Sequence, residues 1–328
     1  MLSFKVVCPQ ETADRIVAEF GDDDAVLHLA VVDVKSATPE GAVVLFDVVS
    51  EAGDRIVRCL RSMNVDRDGA IVMTRTAATF SQHVRDAELL VPGESTTAVV
   101  WEEVEARVRD ESGLTPTFVA LTTVATIIAA VGLMTDSLVL LVGAMVVGPE
   151  YGALMSIAIG IKKRSAWRIK RGLVTIGVAF AFAFIVTAIF TWIVEALGWL
   201  PSTFVEGEHP LTAFVTRPDH FTVVIAFAAA IAGTLSLTQV KAGTLIGVMV
   251  SVTTIPALAA MGVAAALGHW GELAGSVAQL LVNIVIIVVA GSVTLVVQSA
   301  ASDQIDRLQI GLAAKKRAEQ RVGLRRDQ

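Results

Sequence analysis

Residues 140–161 read LLVGAMVVGPEYGALMSIAIGI, and residues 245–256 read LIGVMVSVTTIP. The first stretch is apolar for about the ~20 residues that a helix needs to cross a bilayer, yet it carries Gly148-Pro149-Glu150 in its middle. The second repeats it: LVGAMV at 141–146 answers LIGVMV at 245–250, and each is followed by a proline, Pro149 and Pro256. Proline lacks an N–H and clashes with the preceding turn, so each of these helices is expected to break or kink.

Working outward, six segments are long and apolar enough to span: 116–134, 137–161, 172–198, 220–237, 242–267 and 274–298. The repeated stretches fall in the second and the fifth. Three helices apart, the second copy enters from the opposite side, which predicts a 3+3 inverted repeat. Paired interruptions in two inverted halves point to a transporter site. A simple kink is the alternative.

Composition agrees. Of 328 residues, 54% are hydrophobic and 18% charged, with mean hydropathy +0.67, which excludes an ordinary water-soluble domain. Residues 1–113 hold 21 acids and 11 bases, 114–300 hold 7 and 8, and 301–328 hold 4 and 7. The acidic head argues against nucleic acid as a partner. The basic tail predicts contact with anionic lipid. The connection 162–171 (KKRSAWRIKR) carries six Lys/Arg, the tail seven and the fourth connection Lys241; the other side offers only Arg217. By the positive-inside rule both termini face the cytoplasm, in the inner membrane of the cell. The start has no apolar signal region, which predicts the same side for the head.

Within the head, short β-branched runs at 3–8, 25–35, 42–50 and 70–76 alternate with helical spacing at 10–20 and 52–63. The order βαββαβ predicts a ferredoxin-like α+β domain over 1–80. A linker and amphipathic helix follow over 81–113, capped by Ser95 or Thr96, serving as coupler or plain connector. The six-helix membrane domain occupies 114–300, and the basic tail 301–328.

Candidate substrate or ion ligands cluster at the breaks: Gly148, Pro149, Glu150, Tyr151, Thr253, Thr254 and Pro256, with Asn283 in the sixth helix. Glu150 matters most, because an ionisable group at membrane depth must face a cavity or partner. Proton or cation coupling is one reading; a neutral carboxyl held by freed backbone donors is the other. Gly143, Gly152, Ser156, Gly160, Gly243 and Gly247 are read as helix-packing seams, within or between subunits, and predict a homo-oligomer. Asp22-Asp23-Asp24 lacks the spacing of a calcium loop and reads as a solvated turn. His28, His83, His209, His220 and His269 show no metal spacing, and Cys8 and Cys59 read as buried thiols in a reducing compartment. No cofactor, metal site or enzyme activity is expected.

LLVGAMVVGPEYGALMSIAIGI, AAIAGTLSLTQVKAGTLIGVMVSVTTIPALA (229–259) and LLVNIVIIVVAG (280–291) together resemble the signatures of the domain of unknown function 389 family. Two departures stand out. The family usually has Ser-Pro and an apolar residue where this chain has Gly148-Pro149-Glu150, and often two prolines at Pro256-Ala257. The resemblance implies a membrane domain and names no substrate, and any role of Glu150 belongs to this chain's own branch. These readings predict a transporter or channel for a small solute or ion under a regulatory head. The rival is a non-transporting sensor or scaffold that works through the head.

Overall fold

A computed structural model describes residues 1–34, 41–76, 81, 83, 101–205, 220–238 and 254–326. The chain divides into two compact units, Met1–Glu102 with Gln298–Gln328, and Glu103–Val297.

In the first unit four strands form one antiparallel sheet: β1 Leu2–Cys8, β2 Val26–Val34, β3 Gly41–Val48 and β4 Ala70–Arg75, in the spatial order β2-β3-β1-β4. Alternation builds it. Leu2, Phe4, Val6 and Cys8 are buried while Lys5 faces out, and β3 buries Ala42, Val44, Phe46 and Val48, the period-2 pattern of a one-sided sheet. Phe4 lies opposite Phe46 in register, and their rings stack at 5.2 Å. Helix α1 Gln10–Phe20 adds Ala13, Ile16 and Phe20 to this core, and α2 Gly53–Ser62 adds Ile56, Val57 and Leu60. A 3₁₀ turn, Ser50–Ala52, leads into α2, so β3 ends at Val48, earlier than the apolar run suggests. A single turn, α3 Val65–Asp68, is pinned by the buried Val65.

Three head residues gain roles their spacing did not reveal. Asp23 accepts two hydrogen bonds from the Arg55 guanidinium, at 2.7 and 3.1 Å, and one from the Ala25 amide at 3.0 Å. The aspartate turn is therefore a paired structural element at its central residue, not a solvated one. His28 sits in a bulge where His28 and Leu29 together oppose Phe46; its φ is 54°, and its ring Nδ1 lies 2.9 Å from the Asp47 carboxylate. Cys8 is fully buried and Cys59 partly so; both are free thiols, pushed above their ordinary value by burial. Asp54 accepts the amide of Trp101, the first residue of α4 Trp101–Glu111. The expected caps Ser95 and Thr96 lie outside the described residues, as do the Pro39-Glu40 turn and most of the linker.

The second unit is helical: α5 Pro116–Met134, α6 Leu138–Val147, α7 Glu150–Lys162, α8 Ala166–Ala196, the single turn α9 Ser202–Val205, α10 His220–Thr238, α11 Ile255–Ala266 and α12 Trp270–Arg326. Three of these are long and apolar enough to cross a membrane: α5, α8 and the Trp270–Ala301 part of α12. The pair α6–α7, bent by 56°, passes the same test as one broken span or as a re-entrant loop. Thus, among the described residues, three or four of the six expected spans meet the length criterion. The described apolar stretches of α10 and α11 are shorter; residues 239–253, the first half of the expected fifth span, lie outside the description.

Helix ends are built by local chemistry. Thr115 caps α5 by accepting the Phe118 amide at 3.1 Å, with Pro116 pre-set for the first turn. Left-handed residues Asp136, Arg164, Gly198 and Gly268 end α5, α7, α8 and α11. At each, the next amide reaches back five residues, as in Ser137 to Gly132 and Ser165 to Gly160, both 2.8 Å, which is the Schellman closure. It yields the tight hairpins α5–α6, α7–α8 and α11–α12. Residues 292–310 hold no glycine or proline, and α12 runs on from its apolar part into the basic tail.

Along α8 the exposed side chains are Leu173, Val174, Val178, Phe182, Ile185, Ile189 and Ile193, while Thr175, Ala179, Ala183, Thr187 and Thr191 are buried. Polar groups inside and apolar groups outside suit a helix solvated by lipid. Exposed Trp167 and Trp192 mark its two ends, about 38 Å apart at ~1.5 Å per residue, the spacing of aromatic belts around a hydrocarbon core of about 30 Å.

Candidate functional site

The α6–α7 break follows from two residues. Pro149 cannot donate to the helix ladder and disfavours helical backbone before it, so Gly148 is extended at φ −64°, ψ 127°. Helix α7 restarts at Glu150 with Pro149 as its cap. Pro256 lies in the first turn of α11, two residues after its cap Thr254. There it costs no hydrogen bond, because the first amides of a helix have no partner within it. Pro256 thus opens a helix instead of kinking one.

The two proline-marked points meet. The Thr254 hydroxyl donates to Glu150 Oε1 at 2.6 Å, and both residues are buried, at 0% and 1% exposure. Gly148 makes room for this contact: a Cβ there would stand 2.4 Å from Glu150 Oε2 and 2.9 Å from Ile255 Cγ1. Residues 104 apart in sequence therefore share one buried polar contact. A hydrogen bond to a carboxyl oxygen in a low-dielectric interior contributes about 1.5–3 kcal/mol.

Not every sequence candidate joins it. Tyr151 points elsewhere: its hydroxyl donates to Thr234 Oγ1 on α10 at 3.4 Å, and Thr234 in turn donates to the Ala230 carbonyl at 2.7 Å. Met155 packs on the same threonine, against Gly291 of α12, where a Cβ would stand 2.6 Å from Met155 Cε. Asn283 is fully buried on α12. Thr253, Gly243 and Gly247 lie outside the described residues, as do His209, Arg217 and Lys241. Among the described residues no group of His, Cys, Asp and Glu has the geometry of a metal site. His269 lies 3.6 Å from Glu272.

The small residues act at particular contacts. At Gly152 a Cβ would meet Glu111 of α4 at 2.6 Å, and at Gly160 the Ile169 side chain of α8 at 2.7 Å. Ser156 is buried on the same helix. Among the described residues no atom lies within 4 Å of where a Cβ of Gly143 would stand. Gly172 and Gly262, which the spacing did not single out, admit Ile157 and Thr187.

A second cluster escaped the sequence reading because its members are up to 63 residues apart. Glu105 of α4 pairs with Lys163, in the connection between α7 and α8, and at 2.8 Å with Arg168 in the first turn of α8. Thr175 donates to the Ser112 carbonyl at 3.0 Å. Burial alone pushes the Glu105 carboxyl upward; the hydrogen bonds and charges of Lys163 and Arg168 outweigh it and hold it below its ordinary value near 4.5. The only sequence signal was an acid on an amphipathic helix and a run of bases to meet it.

Comparison with known proteins adds a relative and a family. An uncharacterised protein of Methanocaldococcus jannaschii is 22% identical over 234 residues, covering 71% of this chain and 69% of its own length. No solved structure matches. Residues 145–289 match the family described as Domain of unknown function (DUF389). The chain thus resembles that family from the second half of α6, through the Gly148–Glu150 break and Thr254, into α12.

Proposed function

We propose that this membrane protein is a transporter or channel for a small solute or ion, with a regulatory or oligomerising head. One observation carries the reading: the hydrogen bond from Thr254 to Glu150, which joins a broken helix to the proline-marked start of another. A membrane bundle that only anchors a head has no use for a carboxyl at this depth, since burying it costs about 2.5–3.5 kcal/mol or more without a compensating role. In the proposal Glu150 binds the cation or proton, Thr254 holds its carboxyl, and Pro149 and Pro256 leave backbone groups free to line the site; Thr253 and Asn283 complete it. The architecture proposed around it has six spans in a 3+3 inverted repeat. Both termini lie on the cytoplasmic side of the inner membrane, and the tail rests on anionic lipid. The strand order β2-β3-β1-β4 with two crossing helices supports a ferredoxin-like head over 1–80, and the small-residue seams support a homo-oligomer.

The test is thermal stability of the purified full-length protein against ions, metabolites and pH, followed by flux into vesicles. A ligand at 100 times its Kd adds about 2.7 kcal/mol. The expected result is a selective stabilisation, and a flux, that Glu150→Gln abolishes. Flux or stabilisation indifferent to Glu150→Gln removes the assigned role. The sensor reading has its own support: Val32, Leu45 and Val72 are exposed on the sheet. It predicts a stabilising ligand whose effect survives Glu150→Gln and is lost with Leu45→Asp.

A further inference from the structure

Thr187 and Thr191, one turn apart on α8, are both fully buried; Ser276 and Gln279 of α12 are 0% and 3% exposed. The oxygens Thr187 Oγ1, Thr191 Oγ1, Ser276 Oγ and Gln279 Oε1 have no hydrogen-bond partner among the described residues. Native proteins leave few such atoms, and in a bilayer no bulk solvent supplies a partner. Four in one bundle, all without charge, need a common explanation.

Their heights supply one. Helices α8 and α11 run side by side in the same sense: Phe180 and Ala183 share one core cluster with Ala257 and Leu258, while Phe190 and Val194 pack against the cluster that holds Val263. Thr187 lies against Gly262, where a Cβ would be 2.8 Å from its methyl. Taking the C-terminal end of α11 as zero and about 1.5 Å per residue, Thr191 lies near 0 Å and Thr187 near 6 Å. The turn Leu267–His269 returns the chain into α12, placing Ser276 at about 9 Å and Gln279 at about 14 Å. Thr254, at the far end of α11, lies at about 18 Å, level with the carboxyl it holds. Asn283, on the same face of α12 as Ser276, stands at about 20 Å. In height, successive groups follow one another at about 2–6 Å.

We infer that these hydroxyl and amide oxygens line a water-filled track that descends from the α11–α12 turn to the Glu150–Thr254 contact. Its occupant is water, because the lining offers neutral donors and acceptors and no fixed charge until Glu150. A buried water characteristically makes about three hydrogen bonds to otherwise unsatisfied groups. The track gives the proposed site access from the side opposite the basic connection, and it rests on that functional reading only for its purpose.

The test uses full-length protein with Cys8 and Cys59 replaced by serine, reconstituted in vesicles, and a membrane-impermeant thiol reagent. Thr191→Cys, Thr187→Cys, Ser276→Cys and Gln279→Cys are expected to be labelled, more slowly with depth. Ala179→Cys and Ile287→Cys, equally buried in apolar packing, are expected to stay unlabelled. Thermal stability of each variant confirms folding, and where one cysteine variant unfolds the same labelling is read at the other polar positions. No labelling at the four polar positions in folded protein overturns the track, as does equal labelling of the apolar controls. Labelling of Thr254→Cys without the other four keeps the functional site and rejects this route to it.

Discussion

Gly148→Ala tests the buried contact most sharply. The new methyl would stand 2.4 Å from Glu150 Oε2 and 2.9 Å from Ile255 Cγ1, closer than real Cβ atoms come. Ile255 is fully buried and cannot retreat without disturbing Ala259 and Val263 beside it in the core. The Glu150 carboxyl is the softer partner, but it moves only by leaving Thr254. Overpacking a closed core costs about 1–3 kcal/mol, and a lost hydrogen bond to a carboxyl adds about 1.5–3 kcal/mol. Together they amount to about 2.5–6 kcal/mol, on the order of a hundredfold to ten-thousandfold change in the folding equilibrium. The assay is a double-mutant cycle with Thr254→Val, read by denaturant unfolding of the purified protein. If Gly148→Ala acts by pushing Glu150 off Thr254, the two substitutions overlap, and the double variant falls short of the sum by about 1–2 kcal/mol. Additivity within about 0.5 kcal/mol, or a neutral Gly148→Ala, would refute the reasoning.

Other consequences follow from single contacts. Gly172→Ala places a methyl 2.6 Å from Ile157 Cγ1 and 2.8 Å from the Ala153 carbonyl, so it should cost about 1–3 kcal/mol. Gly177→Ala, with nothing within 4 Å, should be neutral or gain up to about 1 kcal/mol in thermal unfolding. Asp23→Ala strips the bidentate partner from Arg55 and should lower head stability by about 1–3 kcal/mol, measured by hydrogen exchange across β1 and β3 in the full chain. Glu105 titrates lower in the folded state than in the unfolded state, so it contributes stability above the unfolded value that is lost as pH falls through the folded one. Glu105→Gln should therefore reduce stability at neutral pH and flatten the acid limb of a stability–pH curve, while leaving the two forms equal at low pH. Retention of the acid limb in Glu105→Gln would assign it to another group.

Elements with strong periodicity were legible from residues alone. The order of strands and helices in the head follows from alternation in SFKVVC and from the apolar positions of QETADRIVAEF, because local pattern and local structure share a length scale. The break at Gly148-Pro149 was legible for the same reason, since proline chemistry acts within one turn. Hydropathy set the places of the helices but not their number as spans: α11 begins at Ile255, so its apolar run alone does not tell how much of it crosses a membrane.

Pairings between distant residues were not legible. LVGAMV and LIGVMV marked two related segments, yet nothing in either says that Thr254 reaches Glu150 while Tyr151 turns to Thr234. That choice depends on which way each helix is rotated, and rotation is set by close approaches such as Gly172 on Ala153 and Gly291 on Met155. The same holds for Glu105, whose partners Lys163 and Arg168 lie 58 and 63 residues away, and for the threonines of α8, ordinary lipid-helix residues until packing turns them inward. By itself the sequence determined an apolar, interrupted helical bundle joined to an acidic α+β head, because burial pattern and proline are local physics. Only the tertiary structure decided which polar groups share the interior, because desolvated partners are chosen by packing across the chain.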